Sequence, residues 1–335
     1  MIKVVVDALG GDHSPNVNVE GSVRALNEIK DLHVVLVGDE EELKKQLAVF
    51  TYDSERLTLV HAPDVISCND KPTEAIKQKK ESSLYKSVEL LKTNDDVNAL
   101  VSIGSTGAIL ASAVLRIGRI KGVKRPAFCP IMPNVQGGIV GICDSGANVD
   151  CDSLQLSQFA VMGSIYLKNT YNVENPRVAL LNVGVEEEKG DMLRKETHQK
   201  LKELHEQGKI NFVGNMESRD LLKGDYDLVV CDGFAGNVLL KSTEGACIEM
   251  MKLIKNAFTK SLKNKVGALL LKNDVMEIKN KLDYNNYGGA VLLGAAKTII
   301  KGHGSSKATS VYRCIEQAYN MEKSGIREAI AAAFN

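Results

Sequence analysis

Short apolar runs rich in valine and isoleucine recur at 2–9, 33–38, 57–62, 99–104, 138–143, 177–184, 210–214 and 227–232, repeatedly ending in glycine or a small polar residue. Their hydrophobicity is continuous rather than alternating. That is the pattern of strands buried on both faces, as in a parallel sheet. Between them, helix-like stretches occupy 17–30, 83–92, 154–168, 187–206 and 236–260, and the alanine-rich 326–334 predicts a short closing helix. Strands alternating with helices predict βαβ units and an α/β fold. Ligands of open α/β sheets gather at the carboxyl ends of the strands. Chemistry is therefore to be sought just after each apolar run.

Length and charge narrow the picture. At 335 residues the chain exceeds an ordinary domain, and one large α/β unit with two lobes and a cleft between them is the expectation. Lys+Arg and Asp+Glu each number 42, so no net field draws the protein to nucleic acid or to an anionic membrane. Such a partner has to be met by a local patch. Cys68, Cys129, Cys143, Cys151, Cys231, Cys247 and Cys314 are dispersed, odd in number and without a Cys-x-x-Cys pair. Neither a zinc site nor a disulfide framework is expected, but reduced, mostly buried thiols of a cytosolic protein. No apolar run approaches the ~20 residues that span a bilayer, and 1–9 is too short for a signal peptide.

The first strand ends in Asp7-Ala8-Leu9-Gly10-Gly11-Asp12, where paired glycines let backbone amides approach a ligand; a tight turn into a helix near Pro15 is the alternative. The fourth runs into Gly104-Ser105-Thr106-Gly107-Ala108 and then a helical stretch. A small-residue loop at a helix start suits an anion, while Ser105 or Thr106 as a simple cap is compatible with it. Neither a Walker A loop nor Gly-x-Gly-x-x-Gly is present, so dinucleotide binding gains no support. Asp144 to Asp150 offers carboxylates after another strand, and Asn182-Val183-Gly184 leads to Glu186-Glu187-Glu188-Lys189. The glutamates read as a solvated first helical turn, and Lys189 as a point charge for phosphate. Asp232-Gly233-Phe234-Ala235-Gly236-Asn237 turns from strand to long helix, and Gly302-His303-Gly304-Ser305-Ser306-Lys307 joins an imidazole to two hydroxyls. The latter set suits oxyanion stabilisation or phosphate binding, or is an ordinary capped turn.

Residues 252–281 carry eight lysines against Asp274 and Glu277, a local net charge of 8 − 2 = +6. Leu253, Ile254, Ala257, Phe258, Leu262 and Val266 recur at helical spacing, and Gly267 is expected to break the pattern before an apolar tip at Leu269, Leu270 and Leu271. A basic amphipathic helical projection over about 248–282 is the expectation. It suits an anionic membrane surface or an acidic protein; an apolar stripe packed in a dimer interface is the alternative.

Taken in order, these motifs resemble the phosphate acyltransferase (PlsX) family along the whole chain. The resemblance also rests on Lys71-Pro72-Thr73, on Lys79-Lys80-Glu81-Ser82-Ser83, on Gly214-Asn215-Met216-Glu217 and on Tyr287-Gly288-Gly289-Ala290. Ser105, Ala235 and Val291 depart from it, where Asn, Thr and Pro are expected. The resemblance implies a three-layer α/β/α fold with a largely parallel sheet, like isocitrate and isopropylmalate dehydrogenases and related to phosphotransacetylases. It implies a cytoplasmic homodimer, peripheral at the inner membrane face, that moves an acyl group from acyl carrier protein to inorganic phosphate. The acyl phosphate would feed a membrane glycerol-3-phosphate acyltransferase as phospholipid synthesis begins. No cofactor, metal or nucleic acid is expected. Such a reaction needs phosphate held near an activated thioester and a stabilised oxyanion. The anion contacts are expected from Gly10, Gly11, Gly104, Ser105, Thr106, Gly107, Lys189, Ser305 and Ser306, orientation from Asp232 and Asn237, and an acid or donor from His303. Lys263, Lys265, Leu269, Leu270 and Leu271 are the expected carrier-protein or membrane contacts. The competing readings are a phosphotransacetylase acting on a short acyl-CoA, a metal-dependent decarboxylating dehydrogenase, whose aspartate cluster and nucleotide loop are not identifiable, and a non-enzymatic membrane scaffold.

Overall fold

A computed structural model describes residues 1–281 and 287–334, with 279–281 as backbone only. The chain divides into two compact units, Met1–Pro130 with Val161–Asn175 and Asn285–Asn335, and Ile131–Ala160 with Pro176–Tyr284.

The first unit holds β1 (Ile2–Asp7), β2 (Leu32–Gly38), β3 (Leu57–His61), β4 (Ala99–Ser102), β5 (Ala127–Cys129), β11 (Ala290–Leu293) and β12 (Thr298–Lys301). They form one sheet in the order β3-β2-β1-β4-β12-β11-β5. From β3 to β12 every pairing is parallel, and β11 runs antiparallel to both its neighbours. Val4, Val5, Val6, Leu100, Ile299 and Ile300 are buried, as continuous hydrophobicity requires of strands covered on both faces. Helices α1 (Asn16–Glu28) and α11 (Ala308–Lys323) pack against each other. Gly21 allows it: a Cβ there would stand 2.7 Å from Ala308 O and from Val311 Cβ. This unit also holds α2 (Glu40–Leu47), α3 (Pro72–Gln78), α4 (Ser83–Thr93), α5 (Thr106–Ser112) and α12 (Ile326–Ala333).

The second unit contains β6 (Ile131–Pro133), β7 (Ile139–Cys143), β8 (Arg177–Asn182), β9 (Asn211–Glu217) and β10 (Leu228–Val230), in the order β6-β7-β10-β8-β9. Only the β6–β7 pairing is antiparallel. Its core joins Val140, Ile142, Ala179, Met216, Val229 and Leu239. Helix α6 (Ser153–Tyr171) contributes residues to both units, and α7 (Met192–Glu206), α8 (Gly233–Thr259), α9 (Leu262–Leu270) and α10 (Lys272–Lys281) belong to the second.

All eight apolar runs become strands. Two expectations are corrected. The stretch 187–206 is not one helix: α7 starts at Met192, where the Asp191 side chain accepts from the Arg194 amide at 2.9 Å. Gly190 stands before it at φ +89°, a conformation that breaks helix and favours glycine. Glu186, Glu187 and Glu188 are therefore loop residues. Gly267 does not interrupt the basic segment either; it sits inside α9. A helical glycine costs about 1 kcal/mol but does not by itself end a helix. The boundaries lie instead at Ser261, whose hydroxyl accepts from the Asn264 amide at 3.1 Å, and at Leu271. Of the cysteines, Cys129, Cys143, Cys231 and Cys314 are buried, and Cys68 is exposed.

Candidate active site

In the first unit β1, β4 and β12 are adjacent and parallel, so the loops at their carboxyl ends emerge side by side. These are the loops of Gly10-Gly11, Gly104–Gly107 in sequence order, and His303-Gly304-Ser305-Ser306. Backbone bonds join them: Asp12 N–H donates to Gly304 O at 2.8 Å and Gly302 N–H to Ser102 O at 2.9 Å. Gly11 has φ +100°, and a Cβ on it would fall 2.6 Å from Ile103 Cδ1 and 3.2 Å from Gly304 O. A larger residue there would have to displace the Ile103 side chain and adopt a backbone conformation that favours glycine. Asn18, on α1 and buried, donates from Nδ2 to Ala8 O at 2.9 Å and to Gly10 O at 3.1 Å, fixing the first loop from below.

Helix α5 opens this cluster with the amides of Thr106, Gly107 and Ala108, which have no partner four residues back. Ser105 precedes the helix without capping it by its side chain and is buried, whereas Thr106 is exposed. The simple-cap reading of Ser105 therefore fails. On the third loop, His303 is exposed; its Nδ1 lies 2.8 Å from Ser305 Oγ and accepts from the Ser305 amide at 3.3 Å. With Nδ1 accepting, the neutral ring carries its proton on Nε2. Ser305 is exposed, but Ser306 is 2% exposed, its Oγ 3.5 Å from where a Cβ on Gly302 would stand. The Ser306 amide donates to His303 O at 3.0 Å and closes the turn.

In the second unit a polar cluster stands at the carboxyl ends of β7, β10 and β8. Asp144 is fully buried: Oδ1 accepts from the amides of Gly146 and Ala147 at 3.2 and 3.1 Å, and Oδ2 from Asn148 N and Nδ2 at 2.6 and 3.0 Å. Asp232 caps α8 by accepting from the Ala235 amide at 2.8 Å, and its other oxygen pairs with Arg194. Asn237, one turn into α8, faces the Asp144 loop: a Cβ on Gly146 would lie 3.4 Å from Asn237 Nδ2. Burial, with the Asp144 and Asp232 carboxylates adding, pushes the Cys151 thiol up to about 12, so that sulfur is no nucleophile. Lys189 is exposed in the loop after β8, its carbonyl held by Asn182 Nδ2 at 3.1 Å.

Nine of the expected residues, Gly10, Gly11, Gly104, Ser105, Thr106, Gly107, His303, Ser305 and Ser306, thus gather in one cluster, and Asp232, Asn237 and Lys189 belong to the other unit. Asp7, Asn18 and Arg194 escape sequence reading. Arg194 lies 38 residues before its partner Asp232, and only the apposition of α7 with the β10–α8 turn joins them.

The basic segment has little burial. Among the described residues, those buried on α8 are Gly233, Gly236 and Leu239, and α9 has none. Leu269, Leu270 and Leu271, at the turn between α9 and α10, are 71%, 80% and 48% exposed. Lys263 and Lys265 lie on α9. The side chains of Lys279 and Lys281, and residue 282 of the expected projection, lie outside the described residues.

The family described as "Fatty acid synthesis protein" matches the chain over residues 2–329. A phosphate acyltransferase of Clostridioides difficile (strain 630) is 42% identical over 329 residues, covering 98% of this chain and 95% of that protein. One of Caldanaerobacter subterraneus subsp. tengcongensis is 45% identical over 320 residues, covering 96% and 93%. Among solved structures, a phosphotransacetylase from Streptococcus pyogenes superposes with a TM-score of 0.61 at 16% identity, covering 96% of this chain and 94% of that one. The EutD phosphotransacetylase from Staphylococcus aureus gives 0.60 at 15%, covering 95% and 94%. At such identities these structures show the fold, the α/β architecture with largely parallel sheets. With a match running from residue 2 to residue 329 and relatives above 40% identical over nearly its whole length, the chain belongs to the fatty acid synthesis protein family.

Proposed function

We propose that this acyltransferase converts acyl-[acyl carrier protein] and inorganic phosphate to acyl phosphate and free carrier protein, the first step of phospholipid synthesis. The observation that carries the reading is the meeting of two glycine loops and the His303 turn at the ends of three adjacent parallel strands. Amides at a helix start and exposed hydroxyls suit phosphate. Phosphate oxygen attacks the thioester carbon, forming the C–O bond. The oxyanion then collapses, the C–S bond breaks, and the thiolate leaves with the electron pair. Little covalent help is needed, because phosphate is itself the nucleophile. His303 is our candidate to donate to the oxyanion or to the leaving sulfur.

The six described lysine side chains of 252–281 suit an acidic carrier protein. Turnover of acyl-[acyl carrier protein] should exceed that of a short acyl-CoA at least tenfold in kcat/KM. Lys263→Glu with Lys265→Glu should raise KM for the carrier substrate and flatten its salt dependence. Preference for short acyl-CoA would make the chain a phosphotransacetylase, and no phosphate-dependent thioester consumption would leave only a scaffold.

We further propose a homodimer, and peripheral contact with the membrane where a glycerol-3-phosphate acyltransferase takes up the product. No helix among the described residues is long and apolar enough to cross a membrane. The exposed leucines at the end of α9, beside lysines, suit an anionic surface, where each cation contributes about 1 kcal/mol. The protein should co-sediment with vesicles containing anionic lipid, and Leu269→Ser with Leu270→Ser and Leu271→Ser should abolish this. Undiminished sedimentation of the triple variant removes the tip from consideration.

A further inference from the structure

Glycines dominate the first cluster in the sequence, but the group at its centre is Asp7, the last residue of β1. Its side chain is 2% exposed. Oδ1 accepts from Ser83 Oγ at 2.5 Å, at the start of α4, and Oδ2 from Ser102 Oγ at 2.6 Å, at the end of β4. The backbone amides of Leu9 and Gly10 lie near enough to favour its charged form. Ser102 Oγ in turn accepts from the Gly104 amide at 3.1 Å. Space around the carboxylate is closed as well as bonded. A Cβ on Gly10 would stand 2.6 Å from Asp7 Oδ2 and 2.9 Å from Gly104 N, and one on Gly104 would stand 3.4 Å from Asp7 Oδ2.

Burying a carboxyl is costly unless hydrogen bonds replace its water. Burial, the largest effect, raises the Asp7 pKa, and the bonds from Ser102 and Ser83, with the nearby Leu9 and Gly10 amides, offset only part of it. The chemistry also explains why this position is Asp and not Asn. Both hydroxyls donate, one to each oxygen, and carboxylate oxygens accept from both. An amide of the same shape would turn an NH2 toward one of them.

We propose that Asp7 is the positioning residue of the phosphate site. It packs against Gly10, where a Cβ would meet Oδ2, and holds the Gly104 amide through Ser102, so that the two glycine loops keep one preset spacing. The inference rests on the acyltransferase reading above. Asp7 does not touch phosphate; it sets the distance between the two loops whose amides do. A preset array of donors binds an anion without reorganising at the moment of reaction.

Three variants test it: Asp7→Asn, Ser102→Ala and, as a folding control, Ser87→Ala, which removes the buried bond from Ser87 Oγ to Ser83 O at 2.7 Å within α4. In Asp7→Asn and Ser102→Ala, KM for phosphate should rise about tenfold or more while KM for the acyl thioester stays within about twofold. Amide exchange at 104–107 should quicken in both. Ser87→Ala should lower Tm without moving the phosphate KM. Should Asp7→Asn fail to fold, Ser102→Ala decides alone. Wild-type phosphate KM and wild-type exchange in the folded variants overturn the positioning role. A wild-type protein that neither binds phosphate by calorimetry nor needs it for turnover sinks the acyltransferase reading instead.

Discussion

His303→Ala should lose about a hundredfold or more in kcat, the usual contribution of a positioned acid or hydrogen-bond donor, with Tm nearly unchanged. The small effect on stability follows from exposure: the imidazole stands on the surface of its turn, so truncation opens no cavity. The large effect on rate follows from orientation. Nδ1 is occupied by the Ser305 amide and sits 2.8 Å from its hydroxyl, which leaves the proton on Nε2. The turn is anchored by the Ser306 amide donating to His303 O at 3.0 Å. A thiolate is a good leaving group, so oxyanion stabilisation is the larger part of the expected loss. Steady-state kinetics with saturating phosphate separates kcat from binding. Full kcat in the variant would leave His303 as a turn residue only.

Gly236→Ala should destabilise the second unit by about 3 kcal/mol, a fall in Tm on the order of 10 °C. A Cβ at this position would lie 1.9 Å from Asp144 O, 2.8 Å from Cys231 Sγ and 3.0 Å from Asp144 C. The carbonyl cannot yield easily. Asp144 N–H donates to Cys231 O at 2.9 Å, Cys231 Sγ donates back to Asp144 O at 3.4 Å, and the Asp144 carboxylate is held by the 146–148 amides. Gly245 makes a direct comparison on the same helix. It has nothing within 4 Å of its would-be Cβ, so Gly245→Ala should gain up to about 1 kcal/mol of helix propensity. Thermal melts of the two variants should move in opposite directions. A Gly236→Ala protein that melts with the wild type would mean that α8 does not approach β7 this closely.

Much of this was legible in the linear pattern, because burial on both faces writes a continuous apolar run. Runs such as 2–9, 33–38 and 177–184 are strands for that reason, and the loops after them carry the small and polar residues that Gly10, Gly104 and Asp232 exemplify. What lacked a signal was short or depended on partners. β5 and β6 are three residues each, too short for any period, and β11 with β12 sits in one apolar stretch whose turn at Gly294 reads like its neighbours. The Glu186 to Glu188 stretch looked helical from composition, but Gly190 and the cap at Asp191 set the true start.

The sequence by itself determined the α/β class, the strand-end position of the chemistry and the family, since local periodicity and motif order are properties of the chain alone. Only the tertiary structure decided which loops meet. Strand order, β1 beside β4 beside β12, is set by pairing across 95 and about 200 residues of chain, and no local pattern encodes it. That order brings Ser102 to Asp7 and the His303 turn to both glycine loops. Likewise Arg194 reaches Asp232 because α7 packs where β10 ends. A buried carboxylate reveals its role only through the donors that fold around it, and Asp7 is the case in point.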